Sequence, residues 1–177
     1  MADIFPFRGL RYNQELISDI SQALCPPYDV ISPQQQQMLL QKSPYNMIHL
    51  EYGEELPEDS PAENKYSRAG KTMEEWLNKG LLQPEKNPAL YLHEHQFKFN
   101  DKSFSRTTLL TRVRLEESSV ESAKKTVFPH EGTLEEPKLD RIKLLRACEA
   151  NTSPIFALYE NSDEKLYSVL TEFKNSP

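Results

Sequence analysis

The sequence contains few glycines and cysteines: five glycines and two cysteines among 177 residues. So few glycines disfavour a glycine-rich loop that would cradle a phosphate, and the sequence has no GxxxxGK[ST], GxGxxG, GxSxG or HExxH motif. Cys25 and Cys148 lie far apart and show neither a CxxC pattern nor the Cys/His spacing of a zinc site. The sequence therefore predicts no disulfide framework and no zinc site, and the strongest enzyme signatures are excluded.

Long apolar runs are also absent, as is an excess of basic residues. No run approaches the ~20 residues that a bilayer-spanning helix needs, and segment 1–6 lacks the basic and apolar regions of a signal peptide. We therefore expect a cytoplasmic protein with no membrane partner. The formal net charge of -6 disfavours a general nucleic-acid surface, so nucleic acid is not the expected partner, although a local basic groove stays open.

What the sequence does contain is the composition of a folded chain. Hydrophobic residues make up 37% and charged residues 27%, and the length suffices for one sizeable core. The mixture of helical and strand patterns predicts a single α+β domain over residues 1–177. Its architecture is expected to be a mixed sheet with an antiparallel hairpin, flanked by helices, rather than a doubly wound parallel sheet.

The periodicity of apolar residues and the positions of proline and glycine place the elements. Helices are predicted over residues 13–24, 33–42, 62–79, 137–150 and 163–173. Strands are predicted over residues 5–12, 46–52, 89–99, 104–115 and 153–159, with a tight turn at residues 100–102 between two of them. On the second hairpin strand the two-residue repeat places Arg106, Arg112 and Arg114 on one face, which predicts a cationic surface.

The first candidate site is the stiff segment Pro26-Pro27-Tyr28-Asp29. Two prolines restrict the backbone and present Tyr28 and Asp29 in a fixed geometry, which suits a catalytic carboxylate. The alternative interpretation is a helix stop followed by a buried turn, in which Asp29 caps nearby amides.

The second candidate site lies around the start of the helix at residues 137–150. His130 beside Glu131 is a plausible general base with an orienting acid. Lys138 and Arg141 are three residues apart and share a helix face, so both can reach one phosphate or carboxylate, while Asp140 points elsewhere unless it pairs with a following lysine. The alternative is a solvated loop and an ion-paired helix surface.

The third pattern, His93-Glu94-His95, superficially resembles a metal site. On a strand the two histidines face the same way, but no suitable third ligand is evident nearby. A half-exposed strand explains the pattern, and no metal site is predicted.

Five blocks of sequence together resemble the bacterial family known as domain of unknown function 1015. They are PPYDVIS at 26–32, YNMIHL at 45–50, PHEGT at 129–133, PKLDR at 137–141 and ANTSPIFALY at 150–159. Members of that family are usually more than twice this length, which implies that the chain is the N-terminal portion of a longer protein. Some members are labelled as related to the ParB chromosome-partitioning group, whose fold is shared with sulfiredoxin and a free-serine kinase.

The resemblance implies a fold that is ParB/sulfiredoxin-like in part and a role in nucleotide-linked phosphoryl transfer. In this first hypothesis a small-molecule kinase uses a nucleotide with Mg²⁺; Arg8, Lys138 and Arg141 hold phosphate oxygens, and Asp29, or His130 with Glu131, orients or deprotonates an acceptor hydroxyl. The alternative is a non-catalytic ParB-like binding or regulatory module, whose arginine face contacts nucleic acid or a partner protein. A third hypothesis is a structural domain whose motifs brace the fold.

Overall fold

The computed structural model describes residues 2–116, 125–129, 132, 134–159 and 164–175. The chain divides into two units. We call Arg8–Asn87 with Glu116–Ser153 the helical unit, and Met1–Phe7 with Pro88–Leu115 and Pro154–Pro177 the hairpin unit. Within the described ranges, no helix combines the length and the apolar character needed to cross a membrane.

The helices confirm most of the predicted helical segments. They are α1 (Pro33–Lys42), α2 (Ile48–Glu51), α3 (Lys65–Asn78), α4 (Glu135–Cys148) and α5 (Glu164–Asn175). Local signals explain the ends: the Ser32 hydroxyl accepts a hydrogen bond from the Gln35 amide while the Gln35 side chain accepts one from the Ser32 amide. After α3, Gly80 adopts a φ of 68°, a left-handed conformation that glycine adopts without strain.

The strands form antiparallel pairs, which confirms the α+β class. They are β1 (Ile4–Phe5), β2 (Leu10–Tyr12), β3 (Leu82–Pro84), β4 (Tyr91–Phe99), β5 (Lys102–Leu110) and β6 (Arg112–Val113). In the described part of the chain they make three two-stranded sheets, pairing β1 with β6, β2 with β3, and β4 with β5.

Three predicted elements are absent from the described part of the structure. Residues 13–24 contain only a 3₁₀ turn, Ile20–Gln22, whose start is capped by Asp19. Residues 46–52 contain helix α2 instead of a strand, because the Asn46 side chain accepts a hydrogen bond from the Ile48 amide, 3.0 Å, and turns the chain. Residues 153–159 form no strand.

The core of the helical unit lies between α2, α3 and α4. Leu50, Met73, Trp76 and Leu144 are among its buried residues. Helices α3 and α4 are in close contact at Gly70, where a Cβ atom would lie 2.6 Å from the carbonyl oxygen of Ala147. The absence of a side chain at residue 70 therefore permits this packing.

The hairpin unit is built on the β4–β5 hairpin, which confirms the predicted turn. Asn100 and Asp101 have φ values of 47° and 60°, the conformation of a two-residue hairpin turn. The expected arginine face is shorter than predicted because β5 ends at Leu110, so only Arg106 of the three arginines lies on it. Arg112 lies instead on β6 and donates two hydrogen bonds to the Pro6 carbonyl, at 3.2 and 2.9 Å.

Candidate functional site

The candidate site centres on Glu51, at the C-terminal end of α2 in the helical unit. Its side chain is buried, with the residue 6% exposed. Oε1 accepts hydrogen bonds from Arg141 Nη1, at 3.0 Å, and from the Ser153 hydroxyl. Oε2 has no hydrogen-bond partner among the residues that the structure describes. A buried carboxylate oxygen without a donor is unusual in a folded protein, and it marks Glu51 as a candidate functional residue.

Arg141 joins Glu51 to two other parts of the chain. Its Nε donates to Asp140 Oδ2 at 2.8 Å, and Nη2 donates to the Glu51 backbone carbonyl at 3.1 Å and again to Asp140. The guanidinium carbon lies 3.8 Å from the centroid of the Tyr28 ring, a close cation–π contact. These hydrogen bonds occupy four of the five N–H donors of a guanidinium group, so Arg141 is held in a fixed orientation.

Asp140 is the second carboxylate of the cluster. Its Oδ1 accepts hydrogen bonds from the Tyr66 hydroxyl at 2.7 Å and from Lys65 Nζ at 3.1 Å. Burial alone would raise the pKa of Asp140, but the hydrogen bonds from Arg141, Tyr66 and Lys65 outweigh it and hold the pKa below its usual value. Asp140 is therefore ionised at neutral pH.

Lys65 supplies the second positive charge of the cluster. Burial would lower the pKa of Lys65, but hydrogen bonds to Glu55 and Asp140, and the charge of Asp140, outweigh it and raise the pKa. Lys65 is therefore protonated at neutral pH. Lys65 pairs with Glu55 and Asp140, and Arg141 pairs with Asp140 and Glu51, so each cation of the cluster contacts two carboxyl groups.

The charge of Glu51 affects the pKa of both cysteines. Burial, and then the negative charge of Glu51, raise the pKa of Cys25 to about 11 and that of Cys148 to about 11. Because the thiolate is the nucleophilic form of cysteine, neither residue is an activated nucleophile at neutral pH.

Two cavities adjoin this cluster. A small one of about 10 Å³ is lined by Glu51, Lys65, Asp140 and Arg141 among others, and it is comparable in size to a single water molecule. A groove of about 1220 Å³ runs along α3 and α4. Tyr66 lines both cavities, and its hydroxyl donates to Asp140.

The structure places the predicted site residues unequally around this cluster. Arg141 lies within it, and Asp29 is exposed in the 3₁₀ turn Tyr28–Val30, beside the ring that contacts Arg141. Lys138 is exposed in the first turns of α4. Arg8 is exposed and donates from Nε to the Glu85 backbone carbonyl at 2.7 Å, which ties it to the β2–β3 region. His130 and Glu131 lie outside the described residues.

Sequence reasoning missed several members of the cluster. Asp140 was expected to point away from the face of Arg141, but it binds the guanidinium of Arg141 directly. Glu51 follows an apolar run that reads as a strand, and Lys65 and Ser153 lie in unremarkable positions. The usable signal was indirect: Tyr28, Arg141 and Ser153 each fall in one of the blocks that carry the family resemblance, and Glu51 follows another directly.

His93 and His95 are exposed residues of strand β4. The exposed rings of His93 and His95 lie 6.3 Å apart on the hairpin. In the ranges that the structure describes, no group of three or more histidine, cysteine, aspartate or glutamate residues is placed to hold a metal ion.

One comparison with known proteins gives a match. Residues 4–177 match the model of the family described as protein of unknown function (DUF1015). No curated protein and no solved structure matches the chain.

Proposed function

Because the chain belongs to the DUF1015 family, whose function is unknown, we propose its function from the Glu51 cluster itself. The protein is a small-molecule enzyme that binds a phosphate-bearing ligand, a nucleotide being the first candidate, and transfers a phosphoryl group. The ligand binds at the edge of the cluster where Tyr28, the residue before Asp29, contacts Arg141.

The observation that carries this proposal is the incomplete hydrogen bonding of Glu51. A buried acceptor atom left without a donor costs on the order of 1–3 kcal/mol, and a purely structural ion pair gains nothing from that cost. Unsatisfied buried polar groups in native proteins call for an explanation such as a catalytic or ligand-binding role. Oε2 of Glu51 is such a group in the described part of the chain, and it lies beside a guanidinium.

The charges of the cluster suit phosphoryl transfer. That reaction depends mainly on positioning and on positive charge that neutralises phosphate oxygens. Arg141, with one donor beyond its four hydrogen bonds, and Lys138, three residues earlier on α4, supply this charge. Arg8, whose Nε donates to the Glu85 backbone carbonyl, is the third proposed phosphate contact.

The proposed step begins with an acceptor hydroxyl. Its oxygen attacks the terminal phosphorus of the nucleotide, the bond from that phosphorus to the bridging oxygen breaks, and the nucleoside diphosphate leaves. The hydroxyl proton passes to a general base, for which Asp29, Glu51, and His130 with Glu131 are the candidates. Mg²⁺ bound to the nucleotide prefers oxygen ligands, and the carboxylates of Asp29 and Glu51 are of this type.

A thermal-stability screen tests ligand binding. The protein is heated with ATP, ADP, CTP, phosphoserine or inorganic phosphate, each with and without Mg²⁺. A ligand at about 100 times its dissociation constant stabilises the native state by roughly 2.7 kcal/mol, which is a measurable rise in Tm. We expect the rise with a nucleotide, and we expect it to be lost in Lys138→Ala and Arg141→Lys.

Two further measurements separate binding from catalysis. Lys79→Ala, at the exposed end of α3 and paired there with Glu75, is the matched control and should keep the ligand shift. Asp29→Asn should keep the shift but lose nucleoside diphosphate production in the presence of an acceptor. If no phosphate-bearing ligand shifts Tm, the cluster is a structural brace and the proposed function is wrong.

A further inference from the structure

The β4–β5 hairpin carries a row of aromatic and cationic side chains on one face. In the strand register Phe97 lies opposite Phe104, His95 opposite Arg106, and His93 opposite Thr108. Because directly paired residues project to the same side of a sheet, these side chains share one surface. We call it the aromatic face, and it consists of His93, His95, Phe97, Phe99, Lys102, Phe104 and Arg106.

The rings of this face are adjacent but exposed. Ring centroids lie 6.3 Å apart for His93 and His95, 5.2 Å for His95 and Phe97, and 5.6 Å for Phe97 and Phe104. Phe97, Phe99 and Phe104 are nevertheless 39%, 63% and 43% exposed. Contiguous exposed aromatic surface of this kind marks a site of interaction.

The opposite face of the hairpin is different in composition. It carries Glu94, Gln96, Lys98, Ser103, Ser105 and Thr107. Glu94 Oε1 accepts hydrogen bonds from Lys174 Nζ of α5, at 2.6 Å, and from Ser105. The exposed rings are therefore confined to one side of the sheet.

The charge of this segment is opposite to that of the whole chain. The β4–β5 hairpin, Tyr91–Leu110, holds three lysines and arginines against two acidic residues, a net charge of +1, whereas the chain carries -6. On the aromatic face itself Arg106 lies 5.0 Å above the Phe156 ring, and Lys102 pairs with Phe99 across the strands. The acidic balance that disfavours a general nucleic-acid surface therefore does not apply to the hairpin.

We propose that the aromatic face binds single-stranded nucleic acid, a function distinct from the phosphoryl transfer proposed above. Unpaired bases expose π faces that stack on phenylalanine, histidine and arginine, and the neighbouring cations neutralise the phosphates. Paired bases in a duplex do not present these faces, and an acidic peptide supplies charge without rings. The combination of exposed rings and local positive charge thus favours a single strand over both.

Fluorescence anisotropy with labelled oligo(dT) and oligo(U) of about 15 nucleotides tests the proposal. The full chain is titrated at salt concentrations between about 50 and 200 mM, where counterion release is measurable. We expect single strands to bind more tightly than a duplex of the same length. Phe97→Leu and Phe104→Leu keep an apolar side chain but lose the ring, and each should weaken binding by about tenfold or more.

Charge and position are tested by two more variants. Arg106→Ala should reduce the slope of log affinity against log salt by about 0.7 in magnitude, the contribution of one phosphate contact to a single strand. Gln96→Ala, on the opposite face, is the matched control and should bind as the unchanged protein does. Circular dichroism checks that each variant keeps its fold, and Phe99→Leu, at the most exposed ring, replaces any variant that does not.

Five results would overturn the proposal. Four come from the titrations: no binding at the lowest salt, the same affinity for a duplex as for a single strand, the same weakening in Gln96→Ala as in Phe97→Leu, and displacement of the labelled strand by poly-glutamate as effective as by an unlabelled strand. Self-association that is abolished by Phe104→Leu would assign the face to a second copy of the chain instead. None of these results bears on the nucleotide-dependent Tm shift, so the two proposals fail separately.

Discussion

The two units depart from the usual distribution of polar and apolar side chains in opposite ways. The helical unit buries a carboxylate, Glu51, beside an apolar core that includes Trp76. The hairpin unit leaves aromatic rings such as Phe99 in solvent. Buried charge and exposed aromatic surface are the two kinds of departure that carry information about function, because ordinary folding favours neither.

The architecture of each unit explains the difference. Helices α2, α3 and α4 enclose a buried core, so a polar side chain in that core needs hydrogen-bond partners. In the described residues the hairpin pairs only with itself, and a two-stranded sheet has two faces but little interior. The consequences of mutation should therefore differ sharply between the units.

The largest effect should come from Arg141→Ala. It leaves Glu51 and Asp140 without the guanidinium that pairs with both, and an uncompensated buried charge costs about 3–5 kcal/mol. Urea unfolding followed by the fluorescence of Trp76, the only tryptophan, measures the loss in the helical unit. Arg146→Ala, exposed on the same helix, should change the free energy of unfolding by less than about 0.5 kcal/mol.

A second substitution identifies the cause of that loss. Glu51→Gln removes the negative charge, so in the Arg141→Ala background it should restore part of the stability, and the double-mutant cycle should give a coupling energy above about 0.5 kcal/mol. Additive effects would mean that Arg141 stabilises the unit through packing on Tyr28 rather than through its charge.

Gly70→Ala should have the next largest effect. Alanine inside a helix normally gains about 1 kcal/mol over glycine, but here its Cβ would lie 2.6 Å from the Ala147 carbonyl oxygen. We therefore expect a loss of about 1–3 kcal/mol in urea unfolding, as helices α3 and α4 are forced apart. Gly132→Ala is the control, since no atom of the described residues lies within 4 Å of the position that its Cβ would take. A stabilised Gly70→Ala protein would show that the two helices are more loosely packed than described.

A smaller effect is expected in the hairpin unit. Phe97→Ala removes the cross-strand pair with Phe104, which contributes about 0.2–1 kcal/mol. Faster hydrogen exchange at the β4 amides should report this loss, while the urea transition of Trp76 stays unchanged. A shift of the Trp76 transition equal to that of Gly70→Ala would contradict the division into two units.

The elements that could be predicted from sequence are those fixed by local chemistry. The Ser32-Pro33 start of α1, the apolar stripe of α3 and the Asn100-Asp101 turn each specify their structure within a few residues. The errors fall where distant contacts decide. Asn46, for example, donates to the backbone carbonyls of Gln22 and Leu24, at 2.7 and 2.9 Å, which no local pattern reveals.

The candidate site was only partly predictable for the same reason. Arg141 was found because a lysine and an arginine three residues apart indicate an anion site on a helix. Glu51 was not, because its partner lies 90 residues later in the sequence and nothing in an isolated glutamate announces burial. Of this ion pair, Arg141 could be predicted from the sequence, and Glu51 could be identified only from the structure.

The smallest effect on stability at neutral pH concerns the thiols. With a folded pKa of about 11 against an ordinary 9.0, the thiolate fraction of Cys148 at pH 8 falls from roughly 10% to roughly 0.1%. Reaction with a disulfide reagent at pH 8 should accordingly be about a hundredfold slower in the folded protein than in urea.

The pH dependence of stability follows from the same shift. A raised folded pKa stabilises the native state fully below pH 9, and this contribution is lost as the pH rises through about 11. Because burial is the larger cause and the charge of Glu51 the smaller one, Glu51→Gln should speed the thiol reaction only slightly. If Glu51→Gln made both cysteines as reactive as in the unfolded chain, the charge of Glu51 rather than burial would be the main cause of their raised pKa.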